Sequence, residues 1–159
     1  MDKSGSPRWL NDEQLSTWFS VIGLTIHLPA ALDRQLRRDA GISHFEYQVL
    51  AALSEADDKT MRISAIAEFA EGSVPRVSQV VTRLERRGWL KRSPDPNDGR
   101  YTLATLTPSG WDKIVATAPG HVALARQLVI DPLSPAEQAQ LRDLLGRIAT
   151  AIETAESTE

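Results

Sequence analysis

The stretch that decides the fold is SVPRVSQVVTRLERRGWLKRSPDPNDGRYTLATLTP, residues 73 to 108. It begins with Ser73, a residue type that caps helices, and Pro75 is tolerated in a first helical turn. Apolar side chains then repeat at helical spacing on one face: Val77, Val80, Val81 and Leu84. Gly88 is expected to end this helix. The pattern predicts an amphipathic helix that packs its valines against a core.

The opposite face of this helix is predicted to be polar and basic. The outward side chains are Arg76, Gln79, Thr82, Arg83 and Arg86, with Ser78 near the boundary. Arginine and glutamine have the bidentate geometry that reads base edges, and serine and threonine hydroxyls bond either bases or phosphates. This face suits the major groove of DNA; the alternative is a solvated helix face.

The second half of the stretch predicts a β-hairpin. WLKRS, residues 89 to 93, and RYTLATL, residues 100 to 106, are extended patterns, and Asp98-Gly99 between them is a strong turn signal because glycine accepts a positive φ. Proline and glycine would stiffen this loop, so that Arg100 projects into a narrow minor groove. The alternative is that Arg100 forms an exposed ion pair with Asp98 or Asp95.

Upstream, the sequence predicts two more helices of a small domain. SAIAEFA, residues 64 to 70, is typical of a short helix ending at Gly72, after an extended piece around residues 61 to 63. Helix, glycine turn and helix form a helix-turn-helix. In GISHFEYQVLAAL, residues 41 to 53, Ser43 and Glu46 have the spacing of a capping box at the start of another helix.

Long helices are predicted on both sides. The first runs from Asn11 to Asp39 and is bent at Pro29; another starts at Thr107-Pro108 and is interrupted at Pro119-Gly120. The last is capped by the segment 134 to 137. Its apolar stripe is predicted to form a homodimer interface, since these helices have too little core of their own; the stripe contains Leu141, Leu144, Leu145, Ile148 and Ile152.

Length and composition limit the class of protein. With 159 residues and 42% hydrophobic residues, one folded domain is expected. There is no uninterrupted run of about 18 apolar residues, and the N-terminus lacks the apolar core of a signal peptide, so a cytoplasmic location is expected. The sequence contains no cysteine. Disulfides, thiolate metal sites, a cysteine nucleophile and a thiol redox switch are therefore excluded.

Charge is distributed unevenly along the chain. The formal net charge is -3, yet the segment from Arg76 to Arg100 has seven basic and three acidic residues and carries +4, which leaves -7 on the rest. A basic segment inside an acidic chain is typical of an element that binds nucleic acid.

Other chemistry has weaker signals. His27, His44 and His121 lack the pairwise spacing of metal ligands, so neither a metal site nor a cofactor is expected. No nucleophile elbow, P-loop or dinucleotide-binding motif is present, which makes an enzyme the less favoured class. The four tryptophans could stack on an aromatic effector, but aromatic residues at helical spacing are more often core residues; they are Trp9, Trp18, Trp89 and Trp111.

The order of elements and the motifs resemble the MarR family of winged-helix transcriptional regulators over nearly the whole chain. The resemblance rests on ISHFEYQVLAAL, RISAIAEFAEGSVPRVSQVVTRLERRGWLKR, DPNDGRYTLATLTPSG and DPLSPAEQAQLRDLLGRI. The wing triplet Asp98-Gly99-Arg100, followed by Leu106-Thr107 and Gly110, is its most specific part.

The resemblance implies a mainly α (α+β) fold, a winged helix-turn-helix with N- and C-terminal dimerisation helices. Residues 1–159 would form a single domain, with a DNA-binding part at 41–110 and dimerisation helices at 8–40 and 111–156. It further implies a homodimer that binds a palindromic operator in double-stranded DNA, usually as a repressor released by a small, often aromatic, anionic ligand. An activator of the same fold, or a small enzyme or sensor without DNA binding, remains an alternative.

The resemblance also indicates site residues. Ser78 and Arg83 look like recognition-helix contacts, Arg100 like a minor-groove arginine oriented by Asp98, and Gln79 stands where many relatives have a basic residue. The DNA-binding set predicted from the residues and the resemblance together is Ser73, Arg76, Ser78, Gln79, Thr82, Arg83, Asp98 and Arg100. An effector site is expected where the first, second and fifth helices meet, and its candidates are Trp18, His27, His44 and Trp111.

Overall fold

The computed structural model describes residues 7–157. Helices make up most of these residues, with three short strands among them. The elements are α1 (Asp12–Ala40), α2 (His44–Glu55), β1 (Thr60–Arg62), α3 (Ile63–Phe69), α4 (Val74–Arg86), β2 (Leu90–Pro94), β3 (Thr102–Leu106), α5 (Pro108–Ala125) and α6 (Pro135–Glu156). This architecture confirms the predicted winged helix-turn-helix. The chain forms two compact units, one up to Pro119 and one from Gly120 onward.

Local capping sets where the helices begin. Ser43 accepts a hydrogen bond from the N–H of Glu46, whose side chain in turn accepts one from the N–H of Ser43, so the predicted capping box of α2 is confirmed. Ser134 and Glu137 form the same box on α6, as expected. Ser73 caps α4, with Pro75 in the first turn. Each cap satisfies N–H groups that have no partner within the helix.

The core of the first unit lies between the three helices α2, α3 and α4 and the strands. The largest fully buried side chains are Leu36, Ile42, Val49, Leu50, Leu53, Ile66, Val77, Val81 and Leu84. The four residues of the predicted inward face of α4 are at most 2% exposed, which confirms that face; they are Val77, Val80, Val81 and Leu84. Burying each such side chain contributes about 1.5 to 3 kcal/mol.

The strands form one antiparallel sheet in the order β1-β3-β2. The predicted hairpin is β2 with β3, in the register that places Arg92 opposite Ala104. The extended piece expected near residues 61 to 63 is β1, and it pairs with the other edge of β3. Ala104 is fully buried at the centre of the sheet, so the wing is anchored to the helical core.

Gly88 forms the junction between α4 and the wing. The φ of Gly88 is +76°, in the left-handed region that glycine adopts without strain. The N–H groups of Gly88 and Trp89 donate to the carbonyls of Glu85 and Leu84, respectively. This Schellman ending reverses the chain and leads directly into β2. A side chain at Gly110 would collide with the Trp89 carbonyl, so α5 starts in close contact with this junction.

The wing loop corrects one expectation. Gly99 does not adopt a positive φ; among the described residues, the glycines that do are Gly41 and Gly88. The loop of seven residues between the strands is long enough to turn without a primed two-residue turn. It is closed by a bond from the Tyr101 N–H to the Asp98 carbonyl and by carboxylate bonds to backbone N–H groups.

A second correction concerns α5. An interruption was expected at Pro119-Gly120, but the helix continues through both residues to Ala125 and then into one π-helical turn, Arg126–Ile130. An interior proline removes only one helix hydrogen bond. Apolar residues continue at helical spacing on both sides of Pro119, so the helix is maintained. Pro29 likewise lies inside the continuous helix α1.

Large apolar side chains are exposed on α1 and α6 of the single chain. Trp18, Phe19 and Ile26 on α1 are 51 to 62% exposed. On α6, Leu144, Leu145, Ile148 and Ile152 are exposed, and Leu141 is half-buried. By length and composition alone, α1 is long and apolar enough to cross a membrane. Core helices of soluble proteins meet the same criterion. The exposed stripes are typical of surfaces that bind a partner.

Candidate nucleic-acid interface

The recognition helix α4 presents a basic face opposite its buried valines. Arg76, Gln79, Arg83 and Arg86 are exposed, while Ser78 and Thr82 are half-buried. Ser73, the cap, is exposed at the N-terminus of the helix. The structure therefore brings the predicted α4 residues together on one side of one helix. A row of arginines with hydroxyl and amide groups can bond both phosphates and base edges.

Arg76 is held by an aromatic ring rather than by a carboxylate. Its guanidinium lies 3.9 Å from the centre of the Phe45 ring on α2. The same ring is close to Gly72, where an added Cβ would lie 2.7 Å from Cζ of Phe45. The turn between α3 and α4 thus needs a residue without a side chain here, so that Phe45 can support Arg76.

Arg83 is paired with a buried carboxylate of α2. Its Nε lies 3.4 Å from Oε1 of Glu46. Burial raises the pKa of Glu46, but hydrogen bonds from Ser43 and Arg83 outweigh it and lower the pKa below its usual range. Glu46 is therefore ionised at neutral pH, and the cap of α2 is linked electrostatically to the recognition helix.

Thr82 connects the recognition helix to the wing. Its hydroxyl donates to the carbonyl of Ser78 and accepts from Nη1 of Arg92, 3.2 Å away on β2. Arg92 also forms an ion pair with Glu85 at 2.6 Å. Arg92 belongs to the basic segment of the sequence but is not among the site residues that the sequence predicts. Its place beside Thr82 depends on the sheet register, which composition does not reveal.

The wing presents Arg100 to solvent with a carboxylate beside it. Nη2 of Arg100 lies 2.7 Å from Oδ2 of Asp98, and the arginine side chain is 84% exposed. Bonds from the guanidinium and from the Arg100 N–H hold the pKa of Asp98 below its usual range. The ion pair considered from the sequence is therefore formed with Asp98, and it leaves the arginine accessible.

Asp95 has a different partner, which the sequence did not reveal. It is 5% exposed, accepts the Asn97 N–H at 2.8 Å and pairs with Arg62 of β1 at 2.7 Å. The Arg62 guanidinium also lies 4.5 Å from the centre of the Tyr101 ring. The Asn97 N–H and the Arg62 guanidinium hold the pKa of Asp95 below its usual range despite burial. Arg62 thus connects both ends of the wing loop to β1.

The candidate effector residues are not brought together. His44 lines an open groove of about 880 Å³ with residues of α1, α2 and α4, among them Arg37, Arg76 and Arg83. Trp18, His27 and Trp111 do not line it. Burial lowers the pKa of His44, and the Asp33 carboxylate opposes this in part.

Trp111, one of the candidates outside this groove, already has a partner. One face of Trp111 lies 3.6 Å from the ammonium of Lys59, measured to the ring centre. Among residues 7–157, no cluster of three His, Asp or Glu side chains could hold a metal ion.

These elements define a winged-helix DNA-binding protein. The chain belongs to the MarR family of transcriptional regulators. Residues 42–102 match the model described as MarR family. The chain is 39% identical to Sco3205, a MarR family transcriptional regulator from Streptomyces coelicolor whose crystal structure contains DNA, with 92% of each chain covered and a TM-score of 0.88.

Two further comparisons agree. The chain is 30% identical to AbsC, a MarR family transcriptional regulator from Streptomyces coelicolor, over 93% of this chain and 99% of AbsC, with a TM-score of 0.87. It is 31% identical to YdcH, an HTH-type transcriptional regulator of Bacillus subtilis, over 49% of this chain and 54% of YdcH. This match therefore spans about half the length of YdcH. The family and these proteins are transcriptional regulators, not enzymes.

Proposed function

We propose that this MarR family regulator is a homodimer that binds a palindromic operator and represses transcription until a small ligand releases it. The observation that carries the proposal is the exposed basic face of α4 beside a wing whose Arg100 is 84% exposed. The basic face of α4 suits the major groove, and the wing with Arg100 suits a minor groove. The crystal structure of Sco3205 in complex with DNA supports DNA as the partner.

The contacts with DNA are assigned by position. Gln79 and Arg83 lie at the centre of the exposed α4 face and would read base edges, whereas the hydroxyls of Ser78 and Thr82 reach bases or phosphates. Ser73 and Arg76 lie at the helix N-terminus, which attracts phosphate. Arg100, oriented by Asp98, would enter the minor groove. Residues 41–110 would thus supply the DNA-binding part.

Dimerisation is supported by the exposed apolar side chains. Helices in the ranges 8–40 and 111–156 would cover each other's stripes in two copies of the chain, including Leu141, Leu144, Leu145, Ile148 and Ile152 on α6. A two-fold dimer places two recognition helices on related half-sites, which is why a palindrome is expected. Because its partner is chromosomal DNA, the protein would function in the cytoplasm.

Repression is favoured over activation by a steric argument. A dimer that covers about two turns of promoter DNA excludes other proteins from it, whereas activation requires a further contact with polymerase. A ligand would release the DNA by stabilising a spacing of the recognition helices that the operator does not fit. The groove beside His44 supports a ligand site next to the DNA-binding face.

Selection from a randomised duplex pool, followed by titration and footprinting, tests the proposal. Affinity for the selected duplex should fall steeply with salt, with a log–log slope of about -0.9 per phosphate neutralised. The footprint should contain two inverted half-sites about one helical turn apart. A flat salt response, or a single half-site, would overturn the proposal.

A further inference from the structure

Glu46 joins the cap of α2 to the recognition helix. The two oxygens of this carboxylate, whose side chain is 8% exposed, have different partners. Oε2 accepts the Ser43 N–H at 2.8 Å and the Ser43 hydroxyl at 3.1 Å, while Oε1 faces Nε of Arg83 at 3.4 Å. Because the cap fixes one oxygen, it also fixes the position of the other. The negative charge of Glu46 on α2 is therefore held in a fixed position beside Arg83 on α4.

Arg83 uses one edge of its guanidinium for this contact. Its closest approach to Glu46 is through Nε, and the side chain remains 51% exposed. Within residues 7–157, Nη1 and Nη2 of Arg83 form no hydrogen bond. A guanidinium reads guanine through two N–H groups that lie in one plane. Contact with Glu46 and contact with a base are therefore compatible.

We propose that Glu46 is a positioning residue that sets the base specificity of Arg83 by holding its guanidinium in the orientation that meets a base edge. The inference rests on the proposed function, since it requires that α4 reads DNA. Glu46 also places a negative charge near the phosphates, which weakens binding to every sequence. The residue thus lowers general affinity and raises selectivity.

These opposite effects distinguish positioning from a merely structural role. Removing the charge should strengthen binding to a scrambled duplex slightly and reduce the preference for the selected duplex. A structural defect would instead weaken binding to both. The useful quantity is the ratio of the dissociation constants for the scrambled and the selected duplex. Removal of one negative charge changes both constants by the same factor, so this general effect cancels in the ratio.

The test substitution is Glu46→Gln, since glutamine also completes a capping box. Glu137→Gln is the matched control: Glu137 forms the same box on α6, with Ser134 bonds of 2.8 and 2.6 Å. Fluorescence anisotropy at fixed salt should show that the specificity ratio falls on the order of fivefold in Glu46→Gln. The ratio should be unchanged in Glu137→Gln, and thermal unfolding checks that both variants are folded.

A double-mutant cycle with Arg83→Ala shows whether Glu46 acts through this arginine. In the Arg83→Ala background, Glu46→Gln should change the ratio no further. An unchanged or higher ratio in the single variant, or an equal fall in both backgrounds, would overturn the inference. If the wild-type protein itself does not prefer the selected duplex, the proposed function fails instead.

Discussion

The Asp98 carboxylate holds Arg100 by its backbone and its side chain together. Oδ1 accepts the Arg100 N–H at 3.1 Å, and Oδ2 lies 2.7 Å from Nη2 of the same residue. The pair is local, two residues apart, and the guanidinium remains open to solvent. Less side-chain entropy is therefore lost when the arginine enters a groove than would be lost by a free arginine.

Arg100→Ala should weaken binding to both the selected duplex and an A·T-rich duplex, by roughly tenfold, because the wing contact depends on groove shape more than on base edges. Asp98→Asn should have a smaller effect of the same sign. Anisotropy titrations measure both. Arg126→Ala is the matched control, since Arg126 is also exposed and paired at 2.8 Å, with Asp131. Equal losses in Arg100→Ala and Arg126→Ala would refute a wing contact.

Asp95→Asn should loosen the wing without touching Arg100. The substitution removes the charge that pairs with Arg62, and it replaces the charged acceptor of the Asn97 N–H with a weaker, neutral one. Hydrogen exchange of the amides from 95 to 101 should become faster, and DNA affinity should fall several-fold. Unchanged exchange in this loop would show that the Arg62 pair does not hold the wing.

The pH dependence of this contribution has a defined sign. The pKa of Asp95 is depressed in the folded chain, so its stabilising effect is fully present above the unfolded value of about 3.9 and is lost as pH falls through the lower folded value. The difference in Tm between wild type and Asp95→Asn should therefore shrink below about pH 4. A difference that grows on acidification would contradict the depressed pKa.

Local patterns predicted much of this fold because their causes are local. The capping box of Ser43 and Glu46 and the buried valines of α4 follow from spacings of three or four residues. Contacts between distant positions could not be derived in this way. Arg62 and Asp95 are 33 residues apart and Arg83 and Glu46 are 37 apart, so each pair depends on how the elements pack.

Backbone conformation was the other source of error. The Asp98-Gly99 pair predicts a tight hairpin turn, but carboxylate bonds to backbone N–H groups shape a longer loop that does not require a positive φ at Gly99. Pro119 predicts an interruption of the helix because proline removes a backbone donor. The helix continues because a single missing bond does not outweigh helical residues on both sides.

Leu145→Glu should dissociate the dimer. A glutamate in the apolar stripe of α6 would be buried without a partner at the interface, where each fully buried leucine contributes about 1.5 to 3 kcal/mol. Sedimentation equilibrium should show monomer, and binding to the selected duplex should fall because the second half-site contact is lost. Thr150→Glu adds the same charge on the other side of α6 and should remain dimeric. A dimeric Leu145→Glu variant with full DNA affinity would place the interface elsewhere.

An aromatic carboxylate should release the DNA, and His44 should contribute more than His27. His44 lines the groove that also contains Arg37, Arg76 and Arg83, so an anion bound there would meet cations that also belong to the DNA-binding face. Titration of the bound duplex with salicylate should lower anisotropy, and His44→Ala should raise the required concentration several-fold, with His27→Ala close to wild type. Because the sequence lacks cysteine, peroxide too dilute to oxidise methionine should have no effect. Release by peroxide but not by the carboxylate would refute this switch.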